Sequence, residues 1–135
     1  MSEKPLRLGP DAIHLGGQSA ALAVRAFGND YDGYVAAHCT PDDPGRLVSV
    51  AESTEDWPVW EVHPAGDEVV VVLKGRAELI QDFDGTHRTV VLGPNDAIVN
   101  PAGVPHTANV IEPFTALYIT PCPGTTHLPR KREGG

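Results

Sequence analysis

The chain has 135 residues, 41% of them apolar and 21% charged, which suits one soluble globular domain and leaves no room for a second. Acidic residues number 18 against 10 lysines and arginines, and the resulting formal charge of -8 repels nucleic acid and anionic lipid, ruling out both as main partners. No apolar run reaches membrane-spanning length and Met1-Ser2-Glu3-Lys4-Pro5 has no signal-like apolar core, so a cytoplasmic protein is expected.

The 14 glycines and 13 prolines are spread between apolar runs, a pattern of many short strands joined by turns. Ala12 to Leu15 is a first short apolar piece. Ala20 to Phe27, bounded by Gly16-Gly17 and Gly28-Asn29-Asp30, suits a short helix or a short strand equally. Tyr34 to Cys39 is a third piece, closed by the firm turn Pro41-Asp42-Asp43-Pro44-Gly45. Strands are then predicted at Leu47 to Ala51, Val59 to His63, Glu68 to Leu73 and Ala77 to Phe83. Thr86 to Leu92, Ala97 to Asn100, His106 to Ile111 and Phe114 to Thr120 continue the series. Breaks fall at Pro64 to Asp67, Lys74-Gly75, Gly93 to Asp96, Pro101 to Pro105 and Glu112-Pro113. Asp84-Gly85 is the strongest hairpin signal, because a type I′ turn needs positive φ at both central positions. Evenly spaced strands with almost no helix predict an all-β sandwich or jelly-roll barrel.

On the strand opened by Glu68, Val70 and Val72 share its face while Val69, Val71 and Leu73 take the other. Both faces are apolar and both call for cover, one from the barrel interior and one from another layer or a partner subunit; a homodimer is expected. Cys39 and Cys122 form no Cys-x-x-Cys, so a disulfide framework or zinc knuckle is not expected and each reads as a buried structural thiol. Arg130-Lys131-Arg132 beside Glu133 and two glycines reads as a solvated end. The whole, residues 1–135, is taken as one domain: an N-terminal extension of strands over 1–46, barrel motifs over about 57–120, and a flexible tail over 128–135.

The chemistry gathers on Glu61, His63, Glu68 and His106. Glu61 and His63 lie two apart and point to one side of a strand. His106 follows the loop Pro101-Ala102-Gly103-Val104-Pro105. Two imidazoles and two carboxylates from neighbouring strands can converge on one divalent ion, and their two negative charges neutralise it. Taken singly, each residue has an ordinary reading: Glu68 a solvated strand start, His106 a loop histidine, Glu61 an edge-strand charge that blocks aggregation. Trp60 alternates with Glu61 and should face away from the ligands, whereas Trp57, Phe83, Phe114 and Tyr118 wall a pocket or fill the core. His38, His87 and His127 are spare; His87 should be exposed beside its hairpin, and His127 lies in a tail that can reach the barrel mouth but reads better as surface. No Gly-x-Ser-x-Gly elbow and no phosphate-cradling glycine loop is present.

These residues resemble the two motifs of the cupin superfamily. Its first motif has Gly, five residues, His-x-His, three or four residues, Glu, six residues, Gly; here His63 is followed after four residues by Glu68 and after six more by Gly75. Its second has Gly, five residues, Pro-x-Gly, two residues, His, three residues, Asn; here Pro101-Ala102-Gly103 leads after two residues to His106. Glu61 stands at the first histidine, Glu55 and Asn95 at the leading glycines, and Asn109 comes one residue early. The resemblance implies a cupin-type jelly-roll barrel (a double-stranded β-helix) with Glu61, His63, Glu68 and His106 as ligands of iron(II), manganese or zinc. It further implies a metal-dependent enzyme on a small polar metabolite, an oxidoreductase of the dioxygenase kind or an isomerase, with Glu61 and Glu68 as catalytic candidates. The alternatives are a non-catalytic small-molecule-binding module and a metal-free, epimerase-like cupin, and four ligating side chains weigh against the latter.

Overall fold

The computed structural model describes residues 4–122 and 124–131. Its nine strands are antiparallel, and one α-helix stands beside them. At the N-terminus β1 (Ala12–Leu15) pairs with β2 (Ala21–Val24), so the ambiguous Ala20 to Phe27 segment resolves as a strand. The helix α1 (Tyr31–His38) overlaps the third short apolar piece, Tyr34 to Cys39, which carried no helix assignment in sequence. Asp30 caps it, its Oδ1 accepting the Gly33 N–H at 3.0 Å. Asp32 in the first turn and His38 in the last suit the helix dipole. Gly28-Asn29-Asp30 and Gly33 read in sequence as turn residues, which hid this start.

The barrel follows with β3 (Arg46–Ser53), β4 (Val59–Val62), β5 (Glu68–Phe83), β6 (Thr86–Leu92), β7 (Ala97–Asn100), β8 (His106–Pro121) and β9 (Thr126–Pro129). The strand path runs β2-β1-β3-β8-β4-β9, with β5 joined to β8 and carrying β6 and β7. This is an all-β jelly-roll arrangement. Two expected breaks are not breaks: Lys74-Gly75 and Glu112-Pro113 lie inside single 16-residue strands, β5 and β8. The register between these strands shifts from Val72 to Ala77, a bulge where Gly75 has φ +83°. A Cβ there would collide with the Pro113 carbonyl oxygen and Phe114 Cα. The irregularity bends the pair, so the first half of β5 serves β7 and the second half serves β6. Asp84 and Gly85 both have positive φ, as the hairpin signal requires, and Asn95 takes φ +72° in the next turn.

Inward-facing Val70, Val72, Ala77, Leu79, Ala108, Phe114 and Ala116 join Leu92 in the main core. Each large member contributes about 1.5–3 kcal/mol by leaving water. A second cluster, Ala12, Phe27, Tyr34, Leu47 and Cys122, seats α1 against the N-terminal strands and the end of β8. There Cys39 and Cys122 form a disulfide with Cα atoms 5.9 Å apart, correcting the expectation of two separate thiols. The pair is 83 residues apart in sequence, and only the packing of α1 against the end of β8 brings it together. Strand β9 also takes up residues 128 and 129, which were expected in the tail, by pairing with β4. Arg130 donates to the Trp57 carbonyl at 3.1 Å; Arg132 and the residues after it lie outside the described ones.

Candidate metal centre

Strands β4, β5 and β8 bring the four candidate residues to one place. Glu61 on β4 lies directly opposite His106 at the start of β8. His63 follows β4, and Glu68 opens β5 on the inward face it shares with Val70 and Val72. One donor atom from each of Glu61, His63, Glu68 and His106 lies within 4.8 Å of the other three. His63 Nε2 is 3.1 Å from Glu68 Oε2 and 3.6 Å from Glu61 Oε2. His106 Nε2 is 3.1 Å from Glu68 Oε1 and 4.0 Å from Glu61 Oε2. His63, Glu68 and His106 are buried, and Glu61 is the most open of the four at 26% side-chain exposure.

These contacts are close in distance but do not align as hydrogen bonds: His63 Nε2 and both ring nitrogens of His106 are buried without a hydrogen-bond partner. Buried polar atoms normally find one. Imidazole nitrogens left without hydrogen bonds beside two carboxylates, all within 4.8 Å of one another, suit a shared cation. The donor set fits a divalent ion in charge and in type.

Side chains behind these four residues hold them in place. Thr125 Oγ1 lies 2.8 Å from His63 Nδ1, a contact that, with Nδ1 protonated, leaves the Nε2 lone pair directed at the other donors. Thr120 Oγ1 donates to Glu68 Oε2 at 2.7 Å, and Asn100 Nδ2 donates to Glu68 Oε1 at 3.1 Å. Gln81 Nε2 in turn donates to Asn100 Oδ1 at 2.9 Å. Burial works against the Glu68 charge, yet the adjoining His106 and His63 prevail and hold this carboxyl far below the usual range. Glu61 behaves oppositely: burial, then the Glu68 charge, raises it despite the nearby imidazoles. His63 is raised, because Glu68 and Glu61 outweigh the burial that opposes its charge.

A cavity of about 670 Å³ opens onto Glu61 and Glu68, walled by Trp57 and Tyr118 and, on the other side, by α1. Burial, then the charges of Glu68 and Glu61, raises the Tyr118 phenol, which keeps its proton. Trp60 faces away as expected, its ring 5.3 Å from that of His87, and His87 is exposed. Phe114 is core and Phe83 an exposed hairpin residue. His38 stacks on His14 and Tyr34, beside the second core cluster, and is not among the cavity's described lining residues. His127 is exposed on β9 opposite Glu61, with Nε2 4.0 Å from Glu61 Oε1 at the cavity rim.

Thr120, Asn100, Gln81 and Thr125 were not identified from sequence. The inward alternation of Phe114, Ala116 and Tyr118 along β8 continues to Thr120 and would have placed it on the site's face. Asn100 pairs across the sheet with Glu68, a register no local pattern reveals.

A family model described as a cupin domain matches residues 46–120, from β3 to the end of β8. No curated protein matches the chain. Solved structures similar to it include a cupin-2 domain containing protein from Shewanella frigidimarina, 23% identical over 57% of this chain and 71% of that one, with a TM-score of 0.49. A cupin superfamily protein from Desulfitobacterium hafniense is 24% identical over 58% of this chain and 68% of its own, also at 0.49. A conserved Streptococcus pyogenes protein of unknown function is 26% identical over 58% and 66%, at the same score. With the matched segment spanning more than half of its residues and containing all four donors, the chain belongs to the cupin family.

Proposed function

We propose that this cupin is a metal-dependent enzyme acting on a small polar metabolite, of the non-haem oxygenase or isomerase type. Glu61, His63, Glu68 and His106 hold one divalent ion, iron(II), manganese or zinc. The observation that carries this reading is the convergence of four donors within 4.8 Å, with histidine nitrogens otherwise left without partners. Such an ion, when bound, polarises an oxygen of the substrate or activates dioxygen. The chain supplies the remainder. Glu68, clamped by Thr120 and Asn100, anchors the ion. Glu61 has the greater freedom: it is partly exposed and lines the cavity, so it carries a proton to or from the substrate. Trp57 and Tyr118 orient the ligand and keep water from its face.

Elemental analysis of protein purified without added metal tests the proposal, beside a His63→Ala/His106→Ala variant. Near-stoichiometric metal in the parent and none in the variant is expected. If both remain metal-free after incubation with divalent ions, the proposal fails and a plain ligand-binding module replaces it. Glu61→Gln should keep most of the metal while cutting turnover by about 10²- to 10⁴-fold; loss of the metal instead would make Glu61 a ligand alone. Dioxygen uptake and isomerase screens then separate the two reaction types.

We also propose a homodimer formed through the outer face of the sheet. Ile13, Val48, Ile119, Val69 and Val99 lie side by side across β1, β3, β8, β5 and β7. Val50, Leu117, Val71 and Ala97 form the next row. Nine apolar side chains on one outward face supply the hydrophobic contact that a second copy covers.

A further inference from the structure

The proposed metal site leaves open which small molecules its cavity admits, and the cavity's charge bears on this. Four of the lining side chains are acidic or basic: Asp32, Glu61, Glu68 and His127. Among the described lining residues there is no lysine and no arginine. His127 is the one basic side chain among the described lining residues, and it faces Glu61. A divalent ion balances Glu61 and Glu68, which leaves Asp32, exposed on the first turn of α1, as the remaining acidic side chain of the lining. A carboxylate or phosphate ester entering this space would lose water and meet no lysine or arginine, only an ion whose charge Glu61 and Glu68 already balance, an unfavourable exchange.

The walls add a shape preference. The Trp57 and Tyr118 rings lie 6.3 Å apart at their centroids, with planes inclined by 36°, and Tyr31 on α1 lines the same space. A volume of about 670 Å³ is within the range of small-molecule sites. Indole and phenol surfaces of this kind favour a flat ring, and the hydroxyls of Ser53, Thr120 and Thr125 are among the uncharged polar groups along the wall. We propose that the cavity selects an uncharged or cationic hydroxylated ring of the phenol class and rejects carboxylates and phosphate esters of similar size. This rests on the metal-site reading for the balance of charge at Glu61 and Glu68.

The test uses three probes that share one dihydroxyphenyl head and differ in charge: 4-methylcatechol, dopamine and 3,4-dihydroxyphenylacetate. Zinc serves as the ion because it supports binding without redox turnover. Calorimetric titration of the zinc-loaded full chain at neutral pH is expected to give at least about tenfold weaker binding for the acid than for the other two. Asp32→Asn and then Asp32→Lys should raise the affinity for the acid in steps; Asp32 is exposed on the first turn of α1, and circular dichroism checks the fold of each variant. Equal or tighter binding of the acid overturns the proposal, as does a ranking untouched by either substitution. Failure of all three probes to bind overturns it too. Zinc stoichiometry is measured separately: a chain that takes up no zinc defeats the metal reading. The same ranking in metal-free protein then still decides the charge selection, because Asp32, Glu61 and Glu68 repel the acid more strongly without the ion.

Discussion

Glu68 shows how much of a carboxylate's behaviour lies in its neighbours. Both of its oxygens are engaged by protein donors, Thr120 at one and Asn100 at the other, and Gln81 steadies Asn100 from behind. Such supporting bonds orient a ligand and commonly set its metal affinity. Thr120→Val keeps the shape of the side chain and removes the donor to Glu68. The expected result is a fall of about 10- to 100-fold in metal affinity, read by competition with a chromophoric chelator, with the urea midpoint nearly unchanged. Unchanged affinity would assign Thr120 a packing role. Glu61 has no such clamp and is the donor with freedom to move, although the two glutamates are the same residue type.

At the level of elements, α1 is the least self-sufficient part of the fold. It has eight residues, too few to persist alone, and Tyr34 is its one buried residue. The Tyr34 hydroxyl meets His14 Nδ1 at 2.5 Å, and the Cys39–Cys122 disulfide ties the end of the helix to the end of β8. Closing a loop of this length removes roughly 4–5 kcal/mol of chain entropy from the unfolded state in the loop-closure picture. Cys39→Ser/Cys122→Ser is expected to lower stability by about 2–4 kcal/mol, measured from urea midpoints, with the parent in reductant behaving alike. Faster amide exchange over residues 31–38 than over β5 should accompany the loss, because α1 walls the cavity through a tether and not through sheet hydrogen bonds. A variant as stable as the parent would show that the core around Tyr34 alone seats the helix. The β5–β8 pair is the opposite case: its bulge at Gly75 accommodates the Pro113 carbonyl, so residues that look like turns in sequence bend a continuous strand.

For the whole molecule, the outward rows centred on Val69 and Val71 bear on assembly. Leu73 and Val99 are 44% and 53% exposed, and neither α1 nor β9 pairs with the β7 side of the sheet. Sedimentation velocity is expected to return twice the 14.4 kDa chain mass at micromolar concentration. Val99→Lys, at an exposed edge position, should shift the population toward monomer while leaving the fold intact, since a lysine cannot be buried there without a partner. A monomeric parent would overturn the dimer and leave the face as exposed surface. No helix among the described residues is long and apolar enough to cross a membrane.

Local chemistry in the chain already determined the strand series from Leu47 to Thr120, the Asp84-Gly85 hairpin, the face that Glu68 shares with Val70 and Val72, and the four candidate ligands. Alternation, turn residues and motif spacing are short-range signals, and they survive because the barrel uses each strand according to its own pattern. Tertiary structure decided everything that depends on register and packing between distant segments. It merged four expected strands into β5 and β8, folded Tyr31–His38 into a helix, joined Cys39 to Cys122, and set Asn100 and Thr120 against Glu68. In each case the partners are far apart in sequence, so no local pattern encodes the contact; the energy of packing and of satisfying buried polar groups selects it only once the chain has closed.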